Sequence, residues 1–209
     1  MAQIINQLIS AILQVIILTL VPFVFYLFRK DKSQSFVNYI GLYKPVGRSL
    51  IYVAGPLLLT IIMGVGLIFV NVGFRQAALS PNSVTGQIRA MGLNVNSVSV
   101  LLIIALIKTS LAEEIFFRGF LAKRLIDKLG FRLGNIIQAA IFGLMHLALF
   151  GLMSNTGFAP LMVITIFTSV AGWAICYVNE KYANGSIIPG WVAHGLGNTI
   201  SYFIVAFVI

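Results

Sequence analysis

Six stretches of about twenty mostly apolar residues follow one another along this chain, each near the length a helix needs to cross a bilayer. They run roughly Ile4–Phe28, Leu50–Val72, Val98–Leu121, Leu133–Met153, Pro160–Val178 and Ile187–Ile209. Only 9% of the 209 residues are Asp, Glu, Lys or Arg, against about a quarter in soluble domains. Such a chain cannot cover itself with polar groups in water. In lipid the backbone must satisfy its own hydrogen bonds, and runs of this length do so as helices. The expected fold class is all-α: a polytopic transmembrane bundle of about six spanning helices, forming one integral membrane domain over 1–209. The first run has no basic segment before it and no small-residue cleavage site after it, so it reads as a retained helix.

The formal charge is +9. In a soluble protein that would suggest nucleic acid, but here the basic residues sit between apolar spans and no nucleic-acid partner is expected. The loops after spans one, three and five hold Arg29, Lys30, Lys32, Lys44, Arg48, Lys123, Arg124, Lys128, Arg132 and Lys181. The opposite loops hold only Arg75 and Arg89. The excess assigns the first set to the cytoplasm and both termini to the outside. Lys108 and Arg118 fall inside span three. Lys108 either snorkels or pairs with a nearby glutamate. Cys176 is the only cysteine, so no intrachain disulfide forms, and its apolar setting marks a packing residue. Gly143, Gly151, Gly172, Gly195 and Gly197 suggest close helix contacts.

The carboxylates narrow the function. Asp31, Asp127 and Glu180 lie in loops, whereas Glu113 and Glu114 lie inside span three, where a charge costs about 2.5–3.5 kcal/mol. Glu114 and Arg118 are spaced i,i+4 with Glu N-terminal, the favourable helical pairing. Glu113, rotated by about 100°, has no such partner. Both histidines of the chain are also intramembrane: His146, four residues after Phe142, and His194, four residues before Asn198. Counted from the basic ends of their spans, Glu113 and His194 lie about 12 Å deep and His146 about 20 Å. The three can therefore meet in one site.

A carboxylate held out of water suits a general base. A histidine beside it can share the water it activates. A second histidine with an Asn amide can serve a developing oxyanion. Alternatively, Glu113, His146 and His194 form a ligand set for a divalent metal such as zinc. Either arrangement would hydrolyse a peptide or membrane-protein substrate within the bilayer. The chain has no HExxH, no GxSxG and no aspartate inside a span, so other protease chemistries lack their residues.

Glu113-Glu114-x-x-x-Arg118, Phe142-x-x-x-His146 and His194-x-x-x-Asn198, in that order, resemble the three motifs of the CPBP family. That family comprises CAAX prenyl proteases and bacteriocin-processing or self-immunity (Abi) membrane proteins. The resemblance covers about 100–205, and the expected catalytic core is 98–209. It implies that Glu113 activates water, His146 assists, His194 and Asn198 serve the oxyanion, and Glu114 with Arg118 supports them. Six spans and short loops suggest a compact prokaryotic member, integral to the plasma membrane. Two other readings compete: a non-catalytic scaffold or self-immunity protein of the same fold, and a proton or metal-ion pathway. The intact polar set argues against the first, and the scarcity of polar residues in spans one, two and five argues against the second.

Overall fold

The computed structural model describes residues 1–29, 33–153 and 157–209. Lys30, Asp31 and Lys32 of the first basic loop, and residues 154–156 of the turn expected at Ser154–Phe158, lie outside the described residues. Among the described residues every regular element is helical. The long helices are α1 (Ala2–Leu27), α3 (Ala54–Val70), α7 (Lys123–Met153), α8 (Phe158–Tyr182) and α9 (Ile188–Phe207). Shorter elements connect them: α2 (Phe36–Tyr39), a 3-10 turn (Ser49–Val53), α4 (Val72–Leu79), α5 (Val84–Ala90) and α6 (Val95–Leu102).

Span three is not a plain α-helix. Beyond α6 it continues as two wider segments, π1 (Ile103–Leu111) and π2 (Glu114–Ala122). The Ala112 amide closes π1 by bonding to the Ile107 carbonyl, five residues back. The side chains keep the same register: Thr109 Oγ1 donates to the Ile104 carbonyl at 2.6 Å and Ser110 Oγ to the Ala105 carbonyl at 2.7 Å. In ordinary α-helix the same hydroxyls would reach four residues back, as Thr60 does to Pro56. Wide turns of this kind gather at functional sites, and the junction between π1 and π2 is Ala112–Glu113.

Four helical stretches are long and apolar enough to cross a membrane: Ala2–Leu27, Ser49–Phe69, Val95–Leu152 and Phe158–Tyr182. The third covers 58 residues, about 87 Å if straight, far more than one crossing. It holds two of the expected spans and breaks at Gly130, where φ is 75° and ψ 165°. Only glycine adopts that region without strain. The two arms then touch at once, since a Cβ on Gly134 would lie 2.6 Å from the Ile126 amide nitrogen. The sixth expected span is α9. It is not among these four, and it carries His194 and Asn198 inward, both buried.

Helix α7 packs on α8, α3 on α9, and π1 on both α9 and α1. Four of the five marked glycines sit at tight crossings. Gly143 faces the Thr165 carbonyl at 2.5 Å, Gly172 faces Arg118, Gly195 faces Leu106 and Gly197 faces Thr60, each distance measured from the Cβ that glycine lacks. Gly151 has only ordinary contact with Leu161. The outward faces are apolar: only 11% of the α1 window is buried, which suits a helix bathed in lipid.

At the basic end, the segment around α2 folds back over π2. Tyr39 and Ile40 are buried against Ile115, Phe120 and Ile187. The Ile187 amide donates to the Gly41 carbonyl at 2.8 Å, Tyr43 Oη to the Asn184 carbonyl at 2.6 Å, and Lys123 Nζ to the Gly185 carbonyl at 2.7 Å. This loop therefore caps the bundle below the site.

Candidate active site

Glu113 stands where π1 meets π2, and the change in winding separates it from Glu114. Glu114 turns inward and is wholly buried. Its Oε1 lies 3.0 Å from Arg118 Nη1 and 3.1 Å from His194 Nδ1. The first contact is ionic, with Nη1 not aligned to donate a hydrogen bond. One carboxylate oxygen thus serves both Arg118 and His194. A buried arginine is tolerable only with such a counter-charge. Arg118 gains a second support from the Phe142 ring, 4.1 Å below its Cζ, a cation–π contact strengthened by burial.

His194 reaches from α9 with its two nitrogens in different roles. Nδ1 is held by Glu114, and Nε2 lies 4.0 Å from Glu113 Oε2. That gap exceeds a direct hydrogen bond and suits a third, bridging molecule. Among the described residues Glu113 Oε2 is buried and has no hydrogen-bond partner, a condition it shares with Glu114 Oε2 and the Arg118 nitrogens. An orphan carboxylate oxygen in lipid is costly, and a molecule bound between Oε2 and His194 Nε2 would relieve that cost.

The remaining motif residues gather around this pair. The Phe142 ring lies 4.5 Å from that of His146 and 6.3 Å from that of His194. His146 Nδ1 bonds the Phe142 carbonyl at 2.9 Å, which fixes the ring, and the residue lies within electrostatic reach of Glu113 and His194. Asn198 sits one turn beyond His194 on the same face. Its Nδ2 donates to Ser110 Oγ at 3.2 Å, and Ser110 spends its own proton on Ala105. This fixes the amide and leaves one Nδ2 hydrogen available. All seven residues marked in the sequence lie in this one region, drawn from the π1–π2 junction, π2, α7 and α9.

Beside Glu113 a pocket of about 430 Å³ opens between α1, π2 and α7. Leu13, Ile17, Phe116, Phe117 and Met145 line it, with Ser10 and Gln14 as polar additions. Among the described residues no three His, Cys, Asp or Glu side chains come close enough to hold a metal ion. Glu113, His146 and His194 as placed here do not make such a set.

Sequence reasoning missed four supporting residues. Ser110 anchors Asn198. Trp191 Nε1 donates to the Leu106 carbonyl at 2.7 Å, tying α9 to π1. Tyr202 packs against the cluster of Leu101, Ile104 and Ala105 on α6 and π1; its position, four after Asn198 and eight after His194, was the available signal. Gln138 donates to Asn135 Oδ1 at 2.8 Å and to the Gly172 carbonyl at 3.2 Å, joining α7 to α8 behind Arg118. Lys108 pairs with neither glutamate: its Nζ lies 3.5 Å from Gln7 Oε1 on α1.

No curated protein and no solved structure matches the chain. Residues 95–200, from α6 to α9, match the family described as type II CAAX prenyl endopeptidase Rce1-like. This stretch holds all three motifs and is half of the chain. The match spans the wide-wound third span and the helices that carry Phe142, His146, His194 and Asn198, and the chain belongs to the type II CAAX prenyl endopeptidase Rce1-like family.

Proposed function

We propose that the protein is an intramembrane endopeptidase in which Glu113 is the general base. The observation that carries this reading is the unpartnered, buried Oε2 of Glu113 facing His194 Nε2 across 4.0 Å. Glu113 takes a proton from a bound water that His146 helps to hold. The resulting hydroxide adds to the peptide carbonyl, and the carbonyl electron pair moves onto oxygen. The remaining Asn198 Nδ2 hydrogen, with Nε2–H of protonated His194, stabilises that oxyanion. Collapse reforms the carbonyl and breaks the C–N bond, and Glu113 returns its proton to the leaving amine. Glu114 and Arg118 act by positioning, since Glu114 holds Nδ1–H of His194 and so orients the ring and supports its positive charge.

The apolar walls of the Glu113 pocket, and its opening between α1 and α7, suit an apolar peptide segment or a lipidated chain end entering from the bilayer. Prenylated CAAX peptides fall in this class. The Lys and Arg excess at the basic end supports a cytoplasmic assignment of that end, and with it a site in the cytoplasmic half of the membrane.

Purified protein in vesicles, offered a membrane-embedded fluorogenic peptide, tests the reading. Hydrolysis should be lost in Glu113→Gln, His146→Ala and His194→Ala while all three remain folded. A Glu113→Gln protein that keeps its biological effect without hydrolysing anything favours a scaffold instead.

A further inference from the structure

Helix α1 is the most lipid-exposed helix, yet one stripe along it is polar. Gln3, Gln7, Ser10 and Gln14 recur at i, i+4, i+7 and i+11, which places them on a single helical face. Their neighbours Ile5, Ile9, Ile12 and Ile16 are exposed and apolar. The stripe joins two cavities. Its lower half, Ser10 and Gln14, lines the pocket that contains Glu113. Its upper half, Gln3 and Gln7, lines a second cavity of about 560 Å³ at the opposite end of the molecule from the basic loops. That cavity is walled by further carboxamides, Asn6, Gln87, Asn94 and Asn96, and by no charged residue. Lys108 Nζ meets Gln7 Oε1 between the two and, among the described residues, pairs with no carboxylate.

We propose that this stripe carries water from the end bearing Arg75 and Arg89 to Glu113, and that Lys108 bars cations from the route. This rests on the hydrolase reading, because hydrolysis inside lipid consumes a water that the apolar pocket wall cannot supply. Carboxamides both donate and accept, so they hold water without favouring either sign of ion. A fixed positive charge in a narrow polar path repels cations and protons but not water. An apolar substrate enters from the lipid side between α1 and α7, so the polar stripe leaves water a separate approach.

Thiol reactivity tests this without any activity assay. Single cysteines replace Gln7, Ser10 and Gln14 on the stripe, and Ile9 and Ile16 on the lipid face, in a Cys176→Ala background. Asn82→Cys marks the outer end. A membrane-impermeant thiol reagent attacks only thiolate in water, so stripe positions should label at least roughly tenfold faster than Ile9→Cys and Ile16→Cys. They should label from the face that labels Asn82→Cys. Equal rates on both faces of α1, or labelling of the stripe only from the basic end, would overturn the proposal. Lys108→Gln should raise the rate at which a cationic thiol reagent, relative to an uncharged one, labels Ser10→Cys and Gln14→Cys. An unchanged ratio would remove the barrier role from Lys108. If the stripe labels as expected while Glu113→Gln still hydrolyses peptide, the water route stands and the assignment of Glu113 falls.

Discussion

Glu114 Oε1 lies 3.1 Å from His194 Nδ1 and 3.0 Å from Arg118 Nη1. A single oxygen therefore couples the fold's most buried ion pair to the histidine that faces Glu113. Removing one member of such a pair strands the other, so Glu114→Leu should cost about 3–5 kcal/mol. Replacing both, as Glu114→Leu with Arg118→Met, should recover much of that stability. Thermal unfolding in detergent measures both. Neither variant should hydrolyse peptide, because His194 has lost its anchor.

Asn198 and Ser110 form a donor and its holder. Loss of one oxyanion donor typically costs about 10²–10³ in kcat, and Asn198→Ala should fall in that range with KM little changed. Ser110→Ala leaves the amide present but free to turn. Its kcat should drop by less, about tenfold, the equivalent of one modest hydrogen bond. Steady-state kinetics on the same peptide would separate the two.

Much of this site was legible because its logic is local. The i,i+4 spacing of Glu114 and Arg118 depends on one helix alone, and it left Glu113 as the odd carboxylate. Depth counting brought Glu113, His146 and His194 near one another, and the 4.5 and 6.3 Å ring contacts through Phe142 close the remaining gap. The wide winding of π1 and π2 was not legible, since nothing in Ile103–Ala122 breaks an α-helix. Its one trace is the pair of hydroxyls, Thr109 and Ser110, bonded five residues back. Nor did the sequence reveal that the segment around Tyr39 folds inward. That depends on Gly41, with φ 73°, meeting the Gly185 carbonyl, a contact between residues far apart in the chain.

Gly172 is the pivot of the α7–α8 crossing beside the site. A Cβ there would stand 2.9 Å from Arg118 Nη2 and 3.0 Å from Phe142 Cδ1. Overpacking of this kind costs about 1–3 kcal/mol, so Gly172→Ala should lower the melting temperature and shift Arg118 off Glu114. Gly66→Ala, inside α3 with only an ordinary 3.8 Å contact to Ile62 at its Cβ position, serves as the comparison without overpacking.

Tyr43 locks the α2 segment to the loop before α9. Burial first, and the Glu180 carboxylate second, raise its phenol above the ordinary value of 10. A folded-state pKa above the unfolded one means stability that is complete below pH 10 and lost as pH rises through the folded value. The protonated hydroxyl is also the donor to Asn184. Melting temperature should therefore fall above pH 10 in the wild type, and that alkaline step should be smaller in Tyr43→Phe.

The central claim is that Glu113 activates water for peptide hydrolysis. Mass spectrometry of new peptide termini, in membrane and secreted fractions of cells expressing wild type or Glu113→Gln at equal levels, tests it most directly. A defined set of termini present with wild type and absent with Glu113→Gln is the expected result. Matching profiles, with a deletion phenotype that Glu113→Gln still rescues, would contradict it.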